Sequence, residues 1–321
     1  MSRAIVVEAY GGPEVLMPRD REPPAPGPGE VVVDVTASGV NYIDVYHRMG
    51  RYPNPLPFTP GVEGTGTVLA VGSGVTELRP GDRVGWASGL GSYAEQAVIP
   101  ASQAVPLPDG LAEETAAAAL LQGMTAHYLV HDSYPVEPGD MVLVHAAAGG
   151  MGLLLTQLVK HLGGTVIGTA SSDDKRREAS EAGADLVVGY AEVLDAVSEL
   201  TGGAGVAAVY DGVGKDTFET SLASLRRRGS FVSYGSASGL VPPVDPMRLS
   251  AAGSVFFSRP TLAHFVAERH ELLRRASDVF GWVSSGVLTI HIGQRYPLSD
   301  AAQAHRDLEG RRTTGKLLLL P

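Results

Sequence analysis

Up to about residue 112, apolar residues fall in short β-branched runs such as Ile5-Val6-Val7, Val31-Val32-Val33 and Thr67-Val68-Leu69. Gly/Pro clusters at residues 23–29 and 53–57 separate them, and no helical period links them. Val, Ile and Thr suit the half-buried surface of a sheet. This part therefore predicts a small antiparallel barrel or sandwich. Residues 113–130 are Ala-rich and predict a helix.

From Asp140 apolar strands alternate with amphipathic helices. Strands are predicted at 141–145, 166–169, 186–188, 206–210, 231–234 and 254–257. Helices are predicted at 151–162, 173–182, around 193–200 and at 216–227. Six strands with helical crossovers make a doubly wound parallel sheet, an α/β class. A long helix is expected after Leu262, then a strand at 288–292 and a closing strand at 316–320. The closing strand is expected to return to the first domain, leaving the nucleotide domain inserted between its parts.

The turn between the first strand and helix reads His145-Ala146-Ala147-Ala148-Gly149-Gly150-Met151-Gly152. A dinucleotide pyrophosphate needs a tight turn, bare backbone and a helix N-terminus. Ala148, Gly149, Gly150, Met151 and Gly152 are the candidates to provide them, although Ala147 stands where G-x-G-x-x-G has its first Gly. The next strand ends in Ser171-Ser172 with no carboxylate for the ribose hydroxyls, and Lys175 and Arg176 follow. Small hydroxyls and a cation suit a 2′-phosphate, so NADPH is expected rather than NADH. The same segment also reads as a solvated helix start, with Asp173 pairing with Arg177.

Charge narrows the classes. The formal net charge of -10 disfavours nucleic acid. Arg226-Arg227-Arg228 and Arg311-Arg312 are expected at helix ends, where cations suit the dipole. The absence of cysteine removes disulfides, thiolate nucleophiles and Cys-based zinc sites. His127 and His131 have metal-like spacing, but no third ligand is evident, and no metal is expected. No secretory signal or membrane-spanning stretch is read, so a cytoplasmic protein is expected.

Several spaced motifs now combine: residues 39–46 (Gly-Val-Asn-Tyr-Ile-Asp-Val-Tyr), Pro60-Gly61-Val62-Glu63-Gly64, Gly81-Asp82-Arg83-Val84, Leu121-Gln122-Gly123-Met124-Thr125 and the glycine turn. With Tyr210-Asp211-Gly212-Val213-Gly214, Ser258-Arg259-Pro260 and Thr314-Gly315-Lys316-Leu317 they span the chain. In these the sequence resembles the zinc-free, zeta-crystallin-like quinone oxidoreductases of the medium-chain dehydrogenase/reductase superfamily. The resemblance implies a GroES-like β-barrel catalytic domain (1–125, returning at 263–321) with a Rossmann NADPH-binding domain (126–262) inserted in it. It implies a cofactor cleft between them, with Asn41 and Tyr46 at the nicotinamide end and Thr125 near the diphosphate. Lys175 and Tyr190 would lie at the adenosine phosphate, and Arg259, Phe256 and Phe257 by the nicotinamide or pocket wall. Ser171, Ser236 and Lys316 complete the expected cofactor contacts. Zinc-bearing relatives have Cys where this chain has Asn41 and His where it has Val62.

Without a metal to polarise an alcohol, the acceptor must already be electrophilic, and a small quinone is expected. Water can protonate a hydroquinone anion; Tyr46 and Tyr52 are the candidate donors. The rivals are an NADPH-dependent enoyl or alkenal double-bond reductase, which needs a placed acid, and an NADPH-binding structural, crystallin-like protein. An apolar edge strand at 254–257 suggests a homodimer.

Overall fold

The strands and helices segregate into two units. The computed structural model describes all of residues 1–321. One unit comprises Met1–Leu121, Val266–Ser284 and Ile290–Pro321; the other comprises Gln122–Phe265 and Ser285–Thr289.

In the first unit β1 (Ser2–Val6) pairs with β2 (Met17–Arg21). The main sheet is built on β3 (Glu30–Val40), which leads directly into the short helix α1 (Tyr42–Arg48). β4 (Glu63–Val71), β5 (Arg83–Trp86), β6 (Gln96–Pro100) and β7 (Val105–Pro106) follow, then helix α2 (Glu113–Tyr128), whose second half belongs to the other unit. The valines of β3 alternate inward onto Val68, Val84, Trp86 and Ile99, which form its core.

The second unit is the doubly wound sheet. Its strands are β8 (Met141–Val144), β9 (Thr165–Thr169), β10 (Leu186–Val188), β11 (Val206–Asp211), β12 (Leu225–Ser233) and β13 (Phe256–Ser258). All neighbours are parallel, in the order β10-β9-β8-β11-β12-β13. The helices are α3 (Gly150–His161), α4 (Asp173–Glu181), α5 (Val193–Thr201), α6 (Phe218–Ala223), α7 (Pro246–Ala251) and α8 (Leu262–Phe265). The order reverses about β8, whose carboxyl end is where such folds bind ligands. Leu143, Ile167, Val209, Phe218 and Phe231 pack the core.

The remaining elements, α9 (Arg269–Ser284), β14 (Ile292–Pro297), α10 (Ala301–Glu309) and β15 (Lys316–Leu320), complete the first unit. β15 pairs antiparallel with the end of β3, Leu317 opposite Val40. The expected return of the closing strand is therefore found.

Four expectations need correction. The helix expected over 216–227 is only α6, and Arg226, Arg227 and Arg228 lie in β12 rather than at a helix end. There Arg226 reaches Asp140 at 3.3 Å, and Arg228 takes a left-handed φ of 61°. β13 begins two residues late because Ser254 is also left-handed, φ 58°. The strand expected at 288–292 starts only at Ile292. Thr289 is instead clamped by Gln157, which accepts its N–H at 2.7 Å and donates to its carbonyl at 3.2 Å. The long helix expected after Leu262 is α9, preceded by the short α8.

Candidate functional site

The glycine turn joins β8 to α3. Ala146 takes a left-handed φ of 53°, so a non-glycine residue makes the bend that bars an ordinary continuation of the strand. Thr169 at the end of β9 holds this bend, its Oγ1 accepting from Ala146 N at 3.1 Å and its carbonyl from Ala147 N at 2.9 Å. Gly149 is the N-cap of α3. A Cβ at Gly152 would lie 2.3 Å from the Ala146 carbonyl oxygen, so this glycine lets the helix seat directly on the turn. Ala148 is buried, while Gly149, Gly150 and Met151 are partly exposed at the first turn of the helix. The arrangement fits a pyrophosphate: successive helix-start N–H groups and the positive end of the dipole are presented together.

A buried polar network lies beneath the turn. His145 Nδ1 is 3.1 Å from Thr169 Oγ1, and its Nε2 is 3.0 Å from Ser221 Oγ. Ser221 and Thr217 each donate to Asp211 Oδ2 at 2.7 Å, and Asp211 Oδ1 accepts the N–H groups of Val213 and Gly214. Burial pushes the His145 pKa down, which favours a neutral ring. The ends of three strands and α6 are thereby locked to the turn. His145 and Asp211 stood in motifs read from the sequence, whereas Thr169, Thr217 and Ser221 did not stand out; a Thr at a strand's carboxyl end was the available signal.

Of the expected adenosine-end residues, Ser171 is exposed and Lys175 half-buried in the first turn of α4, which Ser172 caps by accepting from Lys175 N at 3.4 Å. Tyr190 stacks on His145, centroids 6.0 Å apart. The ion pairs of α4 differ from expectation: Asp174, one residue closer, takes Arg177 at 2.8 Å, and Asp173 lies 4.0 Å from Arg176. Thr125 and Ser236 are buried, and Arg259 is exposed, donating to Pro260 O at 3.2 Å. Phe256 is 63% exposed on the outermost strand of the sheet, whereas Phe257 packs on Phe218 and Phe231.

In the first unit the loop from β3 into α1 brings Asn41 beside two buried charges. Lys316 Nζ donates to Asn41 Oδ1 at 2.6 Å and to Glu63 Oε2 at 2.5 Å, and Asn41 Nδ2 donates to Glu63 Oε2 at 2.9 Å. Lys316 therefore sits in an ion pair, 2% exposed against 0% for Glu63. An ammonium on the Glu63 carboxylate, with an amide in place of a thiolate, is a poor donor set for zinc. Tyr46 is buried, and its ring lies 5.5 Å from Tyr42 and 5.6 Å, edge-on, from Tyr52. The Arg51 guanidinium lies 5.2 Å from the Tyr46 centroid. Tyr52 is 41% exposed.

A second chain of polar groups fixes the start of α1. Asp44 Oδ2 accepts from Asn41 N at 2.8 Å and from Tyr93 OH at 3.1 Å. Tyr93 OH is also 3.1 Å from His305 Nε2, and Arg48 Nη1 is 3.2 Å from His305 Nδ1. Arginine only donates, so Nδ1 accepts and the His305 proton sits on Nε2, donating to Tyr93. Arg48 ends the chain in a two-pronged pair with Glu309, 2.8 and 2.9 Å. Burial raises the Asp44 pKa to about 7, and burial with the Arg48 charge lowers that of His305 to about 3.

Comparison with known proteins gives concordant matches. The alcohol dehydrogenase GroES-like domain family matches residues 27–109, and the zinc-binding dehydrogenase family matches residues 182–319. The quinone oxidoreductase of Pseudomonas aeruginosa is 47% identical, covering 100% of both chains. A 2-haloacrylate reductase from Burkholderia sp is 40% identical, covering 100% of this chain and 99% of that protein. The solved structure of a mycobacterial protein complexed with NADPH superposes with a TM-score of 0.97 at 51% identity, covering 99% of this chain and 100% of that one.

Proposed function

The chain belongs to the quinone oxidoreductase family of the medium-chain dehydrogenase/reductase superfamily, and from that premise we propose that it is an NADPH-dependent quinone reductase that works without zinc. Identity of 47% along the whole of a quinone oxidoreductase carries the reading. NADPH, when bound, supplies the hydride. The turn of Ala148, Gly149, Gly150, Met151 and Gly152 would hold its pyrophosphate, and Ser171, Lys175 and Tyr190 its adenosine phosphate. Thr125, Ser236, Phe256 and Arg259 complete the proposed contacts, and Asn41 and Tyr46 would face the reacting end.

The chain's own residues have a limited chemical task. A quinone is already electrophilic, and the charge on its reduced oxygen is delocalised into the ring. Position and exclusion of water then matter more than a strong acid. Tyr46 and Tyr52 are the candidate proton donors, with water able to serve in their place. The Lys316–Glu63 pair beside Asn41 supports zinc independence, so activity should survive exhaustive chelation. Loss of activity with stoichiometric loss of zinc would refute that part.

A second reading has one specific support, the 40% identity to a 2-haloacrylate reductase. It makes the acceptor a conjugated alkene, which must be protonated at carbon. Steady-state NADPH oxidation with each acceptor class separates the two. The same proposal includes a homodimer formed through β13, an edge strand, where Phe256 is exposed. No helix is long and apolar enough to cross a membrane. A cytoplasmic location and no nucleic-acid partner fit a cysteine-free chain of net charge -10.

A further inference from the structure

Lys316 and Glu63 are both buried in the first unit, and both are engaged with one amide. Lys316 comes from the start of β15, Glu63 from the start of β4, and Asn41 from the loop after β3. The other carboxylate oxygen of Glu63 accepts Leu121 N at 2.6 Å, so the carboxylate is held at both ends. Gly39 makes the space: a Cβ there would lie 2.2 Å from Glu63 Oε2 and 2.8 Å from Lys316 Cε.

A buried ion pair is a poor device for stability, because removing two charges from water costs about as much as their attraction returns. Apolar residues would fill the same space at no such cost. The pair does, however, dictate something apolar residues cannot. Ammonium only donates and carboxylate only accepts, so the Asn41 amide has one permitted orientation, oxygen to Lys316 and nitrogen to Glu63. Asp44 fixes the backbone of the same residue through its N–H.

We propose that Glu63 and Lys316 are positioning residues for the reaction, holding the Asn41 side chain in a single rotamer and a single amide orientation. The proposal rests on the reading above that Asn41 faces the reactants. It also gives Lys316 a task other than direct contact with the cofactor.

The test uses the full-length protein and three changes: Asn41→Ala, the charge-neutral double variant Glu63→Gln/Lys316→Met, and Gly39→Ala. The double variant should keep its Tm within a few degrees and bind NADPH within about threefold of wild type, while kcat falls at least about tenfold. Adding Asn41→Ala to it should lower kcat no further, since both changes remove one shared interaction. An unchanged kcat in the double variant, or losses that multiply with Asn41→Ala, overturns the proposal. If the double variant fails to fold, Gly39→Ala decides. It should displace the pair with the charges retained and show the same fall in kcat; a wild-type kcat overturns the proposal.

A readout independent of turnover comes from nitrogen-15 NMR of the Asn41 side-chain amide, assigned by its disappearance in Asn41→Ala. Its protons should exchange with solvent at least about tenfold faster in whichever of the double variant and Gly39→Ala folds than in wild type. An amide that already exchanges freely in an active wild type overturns this proposal alone. A protected amide in a protein that reduces no quinone overturns the quinone reading and, with it, the role in the reaction.

Discussion

Asp44 and His305 are buried groups whose titrations oppose each other. Unfolded Asp44 titrates near 3.8 and folded Asp44 at about 7. Between those values the folded protein holds a proton that the unfolded chain has lost, so this group makes stability fall as pH rises. Unfolded His305 titrates near 6.5 and folded His305 at about 3, so it makes stability rise across that interval. From about pH 4 to 6.5 the two slopes work against each other. Asp44→Asn should therefore make Tm rise more steeply with pH there than in wild type. His305→Gln, which can still accept from Arg48 and donate to Tyr93, should shift the slope the other way. Parallel Tm–pH curves for all three proteins would show that neither group titrates in the fold. These residues were opaque to sequence reading because Asp44 stands in a motif dominated by its neighbours, and Tyr93 and His305 meet it from distant segments. Lys316 had a visible signal, a lone cation opening an apolar strand, but its partner Glu63 lies 253 positions away.

At the scale of elements, the strand–turn–helix units of the second unit were legible because each buried strand is a continuous apolar run bounded by a turn. What hydrophobic pattern could not show were the points where backbone strain cuts an element short. Ser254, left-handed, precedes the shortened β13, and Arg228, also left-handed, lies within β12. The glycine turn was found, yet the residue that bends it is Ala146. Gly152→Ala places a methyl against the turn's backbone and should cost about 1–3 kcal/mol of stability. It should weaken NADPH binding as well; thermal unfolding and titration calorimetry measure the two, and a neutral result in both would show that the helix can move away from the turn. In α4, Lys175→Glu should weaken NADPH by about 1–3 kcal/mol, if the ammonium makes a charge-assisted bond to the 2′-phosphate, with NADH little affected. Equal losses for the two cofactors would assign Lys175 to the helix instead.

Across the whole molecule, a discontinuous first unit encloses the sequence of a continuous parallel sheet, and the chemistry proposed for it rests on a donor set at Asn41 that suits zinc poorly. The acceptor class is where that account is most exposed. Hydride delivery should be fast only to acceptors whose reduced form is a stabilised anion, for which water can supply the proton. The most direct measurement is kcat/KM for NADPH oxidation with a small para- or ortho-quinone against a 2-haloacrylate and a 2-alkenal, in wild type and Tyr46→Phe. The quinone should win by at least about tenfold, ~1.4 kcal/mol in barrier, and Tyr46→Phe should lower quinone turnover only modestly. The reverse ranking, with near-total loss in Tyr46→Phe, would make this a double-bond reductase with Tyr46 as its acid and contradict the account.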